Sequence, residues 1–276
     1  MRLSTWTTRM ALAILASLAG ALGETSALAQ PILYASDSLT GSLYTLDTAN
    51  ASATLVGPFV VTQIMAGLGY DAQRDILFGT STETNDLYSI NRSTGLATWI
   101  GDLEVELMHA LEYDVASDTL FGAFGTSAGD GLYNIDTSTG AATLIGHIGF
   151  FHSDHANTVH GLAAHPDTGV LYGAVSGPAL DWGALIEINK TTGQGSLIGE
   201  FTQHIGGLAF HPETNVLFAM DNLADELYTI DITTAQTTLI GPTGLGKAPG
   251  LAFTPEPTSL SLLALGGLLA ICRRRR

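Results

Sequence analysis

The sequence predicts an all-β chain, a five-bladed β-propeller closed by pairing of its C-terminal strand with the first blade. Three observations predict it. A segment is written five times, with copies 42 to 53 residues apart when the LY or LI pair is the marker (Leu43, Leu87, Leu132, Leu185, Leu227). Each full copy holds four apolar pieces of four to six residues, rich in Leu, Ile, Tyr, Phe and Thr and separated by Gly, Asp, Asn, Pro and Thr clusters. Such pieces are too short for helices and carry strand chemistry, and four short antiparallel strands at this period describe a propeller blade. Finally, the first copy lacks its opening strand, while GLAF stands alone at Gly250–Phe253 after the fifth copy. Exchange of that strand completes the first blade and removes the free edges of an open stack.

From the N-terminus, residues 1–29 read as a secretory signal peptide. Arg2 and Arg9 precede an apolar stretch from Met10 to Leu22, and Ala27-Leu28-Ala29 supplies an A-x-A cleavage site before Gln30. Residues 30–254 are the expected propeller. The first copy starts at Ile32 (ILYASDSLTGSLYTLDTANASATLVG), the second at Gly67, the third at Ala110, the fourth at Gly161 and the fifth at Gly207. With strands labelled a to d from the channel outward, the a–b turns are DAQRDI, DVASDT, HPDTGV and HPETNV, and the c–d turns DTANAS, NRSTGL, DTSTGA, NKTTGQ and DITTAQ. Their uniform length marks them as scaffold, opened by side chains that cap the turn backbone. His165 and His211 belong to these turns and read as turn residues.

The opposite face is irregular. Its b–c loops differ in length, and its longest d–a loop spans residues 146–160. Regular repeats with variable loops on one face put specific binding on that face. Histidines gather there: His109, His160 and His204 just before inner strands, and His147, His152 and His155 in the long loop, with Asp154 between the last two. Asp102, Glu104, Glu106, Asp181, Asp221 and Asp225 lie around them. Imidazole with carboxylate suits a divalent metal such as zinc, and carboxylates with carbonyls suit calcium. The alternative is loop polarity, with histidines hydrogen-bonded around the channel. Trp182 and Phe150–Phe151 are candidates to stack on sugar rings or to pack the loops down.

Charge and motifs exclude several functions. Between the two ends stand four basic residues (Arg74, Arg92, Lys190, Lys247) against 24 acids, a formal charge of −20. Such a surface repels phosphate backbones, so nucleic acid is excluded as a partner. The only cysteine, Cys272, lies in the tail, leaving apolar burial to hold the domain together. There is no GxSxG, HExxH, P-loop or cysteine nucleophile, and the inner strands offer Glu112 as their one carboxylate.

Residues 255–276 read PEPTSLSLLALGGLLAICRRRR. Pro255, Glu256 and Pro257 precede a run of 15 residues, Thr258 to Cys272, which Arg273, Arg274, Arg275 and Arg276 close. This three-part end resembles the PEP-CTERM family of bacterial sorting signals. The resemblance implies an exported substrate of an exosortase, a membrane-embedded transpeptidase-like enzyme, in Gram-negative bacteria that make exopolysaccharide. Pro255, Glu256 and Pro257 would then be the recognition motif. Independently, the run is shorter than the ~20 residues of a stable span, which suits a transient stop as an apolar helix, and the arginines hold its end on the cytoplasmic side. The expected function is an exported, non-catalytic binding or structural module at the cell surface or in the extracellular matrix, with extracellular polysaccharide as partner. The rival is a metal-dependent hydrolase of lactonase or glycosidase type.

Overall fold

Twenty-two strands and no helix make up the described part of the computed structural model, residues 30–254 apart from 63, 127–128, 150, 153–154, 157, 178–181 and 248. The expected signal peptide, with Ala27 and Ala29, and the expected C-terminal helix lie outside these residues. Among the described residues no helix is long and apolar enough to cross a membrane. The first blade contains β1 (Ile32–Asp37), β2 (Ser42–Leu46) and β3 (Ala53–Pro58). The second has β4 (Met65–Asp71), β5 (Ile76–Ser81), β6 (Asp86–Ile90) and β7 (Ala97–Asp102). The third has β8 (Ala110–Asp114), β9 (Thr119–Thr126), β10 (Gly129–Ile135) and β11 (Ala142–Gly146). A small hairpin, β12 (Phe151–His152) and β13 (His155–Ala156), occupies the long loop. The fourth blade is β14 (Thr158–Ala164), β15 (Leu171–Ser176), β16 (Gly183–Ile188) and β17 (Gly195–Phe201). The fifth is β18 (Ile205–Phe210), β19 (Leu217–Asp221), β20 (Glu226–Ile230) and β21 (Thr237–Pro242). The last strand, β22 (Leu251–Thr254), pairs antiparallel with β1, Leu251 opposite Ala35 and Thr254 opposite Ile32. The ring is closed by this pairing, as the missing and surplus strands predict.

The apolar core is divided into five clusters, one at each blade interface. Tyr34, Leu43 and Phe59 meet Leu68 and Leu77 between blades one and two, and Leu33 and Leu251 meet Phe218 and Leu227 between blades one and five. The last interface is built like the rest, so burial rewards the closed ring as a whole.

The inner strands approach one another so closely that side chains are excluded between them. A Cβ on Gly67 would lie 2.9 Å from the backbone nitrogen of Leu111, one on Gly161 2.9 Å from that of Leu208, and one on Gly250 3.1 Å from that of Leu68. Register places Gly69, Glu112, Ala163, Ala209 and Ala252 at one level of the hub, so Glu112 is the single large side chain there.

At the periphery, each outermost strand presses a glycine against the c–d turn of the following blade. Gly101 faces Thr139, Gly146 faces Thr192 and Gly241 faces Asn50. Those turns are built alike: Asp47, Asn91, Asp136, Asn189 and Asp231 each accept a backbone N–H two residues on, at 2.7–2.9 Å. On the same face His165 Nδ1 accepts the N–H of Asp167 at 3.2 Å and His211 Nδ1 that of Glu213 at 3.3 Å, the role Asp71 and Asp114 play in their own turns. Both histidines are thus turn residues, as expected.

The peripheral contacts differ in tolerance. A Cβ on Gly101 would fall 1.7 Å from the Thr139 carbonyl oxygen, but one on Gly241 stays 3.2 Å from that of Asn50. Gly101→Ala is expected to cost about 1–3 kcal/mol, the usual range for overpacking against an unyielding neighbour. Gly241→Ala should cost clearly less. Thermal unfolding of both variants beside the parent chain checks the order.

Candidate functional site

The face carrying the b–c and d–a loops opens onto the channel through a cavity of about 160 Å³. Each blade contributes the residue just before its inner strand's first hub position: Ala66, His109, His160, Gly206 and Pro249. In three blades the ladder slips at this point, between Met65 and Gly67, Val159 and Gly161, and Ile205 and Gly207. The extra residue of such a bulge is turned out of the pairing pattern. His160 is one of these residues, so the bulge aims its ring into the mouth, while its neighbour Val159 stays in the core.

Three of the predicted histidines come together here. The rings of His109 and His160 are 5.0 Å apart between centroids, and those of His160 and His204 5.2 Å. Burial holds all three below the ordinary imidazole range. For His160 the value falls to about 3, through desolvation first and then the neighbouring His109 and His204. Desolvation also lowers His109, and at His204 it outweighs the opposing pull of Asp221. At neutral pH the mouth therefore presents uncharged imidazoles, able to donate from one nitrogen and accept at the other.

Five residues that sequence reasoning did not single out complete the lining: Ser38, Ile64, Thr82, Asn222 and Lys247. Asn222 lies across the opening because Gly206 leaves room, a Cβ there falling 1.8 Å from its Nδ2. The Asn222 N–H donates to the His204 carbonyl at 3.0 Å. Two side-chain atoms beside the cavity, His204 Nδ1 and Asn222 Oδ1, are buried without a hydrogen-bond partner among the described residues. Lys247 is tied down by its backbone, which accepts from the Ser38 N–H at 2.9 Å and donates to Asp37 at 3.3 Å.

The other candidates fall elsewhere. His147 is exposed and its Nδ1 meets the Asp130 carbonyl at 2.7 Å. His152 and His155 are backbone register partners across β12 and β13, and Asp154 and Asp181 lie outside the described residues. Trp182 packs against the apolar core cluster between blades three and four. Asp221 Oδ1 accepts the N–H groups of Leu223 and Ala224, a turn-capping role, and Asp102 does the same for Glu104. Among the described residues no group of three or more His, Cys, Asp and Glu side chains is arranged to hold a metal ion.

The depressed imidazole values have a signed consequence for stability. A histidine whose folded value lies below its unfolded ~6.5 stabilises fully above that pH and loses its contribution as pH falls toward the folded value. For His160 the window runs from ~6.5 down to about 3. Between pH 7 and 4.5 the parent chain is expected to lose roughly 2 kcal/mol more than His160→Asn. Urea unfolding of both at the two pH values measures the difference.

The comparisons with known proteins bear on the fold and on the C-terminal tail. One chain of a nidogen/laminin complex matches at 10% identity and a TM-score of 0.57, over 81% of this chain and 98% of that one. Periplasmic gluconolactonase of Pseudomonas aeruginosa matches at 10% identity and a TM-score of 0.45, over 82% of this chain and 99% of that one. Regucalcin of Agrobacterium tumefaciens, a calcium-binding protein, matches at 16% identity and 0.43, over 64% and 58%. At these identities the likeness is one of fold, and the first match carries it. No curated protein matches the chain. The protein-sorting model PEP-CTERM matches residues 253–276. That motif indicates an exported protein, held transiently by its C-terminus and processed by exosortase at the membrane. The chain is a five-bladed β-propeller that ends in a PEP-CTERM sorting motif.

Proposed function

We propose that this chain is a non-catalytic binding module of the cell surface or extracellular matrix, and that its loop-face mouth takes hydroxyl groups of a neutral extracellular polysaccharide. The carrying observation is the pair of buried, unpartnered polar atoms, His204 Nδ1 and Asn222 Oδ1, beside a cavity lined with neutral imidazoles, Ser38 and Thr82. Buried polar atoms are nearly always paired, so such atoms at an opening fit an external partner. Neutral imidazoles and hydroxyls that both donate and accept suit sugar hydroxyls, which also do both, and Lys247 in the lining adds further donors. The strongly acidic surface disfavours anionic polymers and leaves neutral ones. On this reading residues 1–29 are removed on export, and the tail is the handle that exosortase processes.

Affinity electrophoresis through gels containing dextran or alginate tests the proposal. Dextran, the neutral polymer, is expected to retard the protein and alginate, the anionic one, to leave it unretarded. The His109→Ala, His160→Ala double variant should lose most of the retardation. Equal mobility of parent and variant in dextran would remove the mouth from the argument. A stoichiometric zinc or calcium surviving dialysis against metal-free buffer would instead support the rival hydrolase.

A further inference from the structure

The channel has a second chamber, at the end opposite the histidines. It measures about 230 Å³ and is ringed by one residue from each inner strand: Tyr70, Tyr113, Ala164, Phe210 and Phe253. These residues stand at alternate positions to those paired with the neighbouring strand. His165, one residue on, donates its N–H to Val170, and Ser36 donates to Gly250, so the intervening residues turn their N–H and carbonyl groups toward the axis. Ala164 shows this directly, because its N–H donates to Glu112 Oε1 at 3.0 Å.

Glu112 projects from the third blade toward the fourth and lines this chamber. Its second oxygen has no hydrogen-bond partner among the described residues. The titratable groups around it are Tyr70, Tyr113, Asp114 and His165, with Lys190 behind Asp114. None brings it a free cation. Lys190 Nζ is held by Asp114 at 2.7 Å, Arg74 by Asp71 and Asp118, and Arg92 by Asp75. His165 Nδ1 already accepts two backbone N–H groups. Burial pushes the Glu112 carboxyl up to about 8, against the lowering effect of the Ala164 N–H and with a small push from Asp114. A carboxyl bracketed at one oxygen would need no chamber at the other. A chamber lined by backbone and by apolar residues such as Ala116, Ala164, Pro166 and Pro212, with one uncompensated carboxyl, has the chemistry that selects a cation on an apolar body, because opposite charge restores the ionised form.

We propose that this chamber is a binding site for a small organic ammonium ion with an apolar body, its N–H groups donating to the free oxygen of Glu112 and to axis-facing backbone carbonyls. The bland alternative makes Glu112 only a bracket between blades three and four. Glu112→Gln separates the two, since Gln keeps an acceptor for the Ala164 N–H and loses the charge.

Isothermal titration of the full-length chain in a non-ionic detergent, with benzylamine, benzyl alcohol and glucosamine as probes, provides the test. Benzylamine is expected to bind at one site, and benzyl alcohol, its uncharged analogue, at least about tenfold more weakly, as loss of a charge-assisted hydrogen bond implies. Glucosamine, with the charge on a polyol, should also be weaker. Glu112→Gln should weaken benzylamine by about tenfold or more while leaving the fold intact by circular dichroism. Equal affinity for benzylamine and benzyl alcohol, or no benzylamine binding at millimolar concentration, would overturn the site even if the variant failed to fold. Unchanged benzylamine binding by a folded Glu112→Gln would return the residue to its bracket role. Glucosamine binding as tightly as benzylamine would overturn the requirement for an apolar body.

Discussion

Contact between the backbones of the five inner strands is the constraint from which the molecule's chemistry follows. Where a Cβ on Gly67, Gly161, Gly207 or Gly250 would come within about 3 Å of the next strand's nitrogen, no large side chain fits. The hub is therefore nearly bare of functional groups along its length. Chemistry is displaced to the two ends of the channel, where strands begin and stop. Glu112 is the exception: it escapes the constraint because Ala163 opposite is small and because its carboxyl turns toward the axis.

The two ends are electrostatically unlike. On the turn face Arg74, Arg92 and Lys190 are each held by aspartates, and Arg92 also lies over the Tyr70 ring at 5.0 Å. Asp71 and Asp114 are themselves buried, and these pairs leave that face with no loose cation to answer a buried carboxyl. On the loop face the acids are largely occupied in capping turns, as Asp37 and Asp221 are, and the mouth itself is furnished with neutral imidazoles. The turn face thus has its cations paired, while the loop-face mouth combines neutral imidazoles with Lys247.

Architecture was legible because it is written in repetition. Five copies with one strand displaced from start to end state both blade number and closure, and the uniform turns name their capping residues, His165 and His211 included. The histidine mouth was legible in part: His109, His160 and His204 precede inner strands, and position alone brings them near the axis. The close approach of their tilted rings depends on the bulge at His160, which no local sequence pattern announces. Ser38, Thr82, Asn222 and Lys247 are ordinary loop residues, separated by up to some two hundred positions, that only ring closure brings together. Trp182, an aromatic in a loop, had two readings, and the structure packs it against the apolar cluster between blades three and four. Glu112 stood out as the lone inner-strand acid, yet its bracket to Ala164 needed the geometry of the neighbouring blade.

The closing strand and the sorting motif overlap: β22 runs to Thr254, and the matched motif begins at residue 253. Assembly therefore has an imposed order in time. During export the chain emerges with its first blade one strand short, and a β1 edge stays open until the last residues of the propeller arrive. Those same residues carry the beginning of the address read at the membrane. Completion of the ring and the start of the sorting motif thus share one stretch of chain.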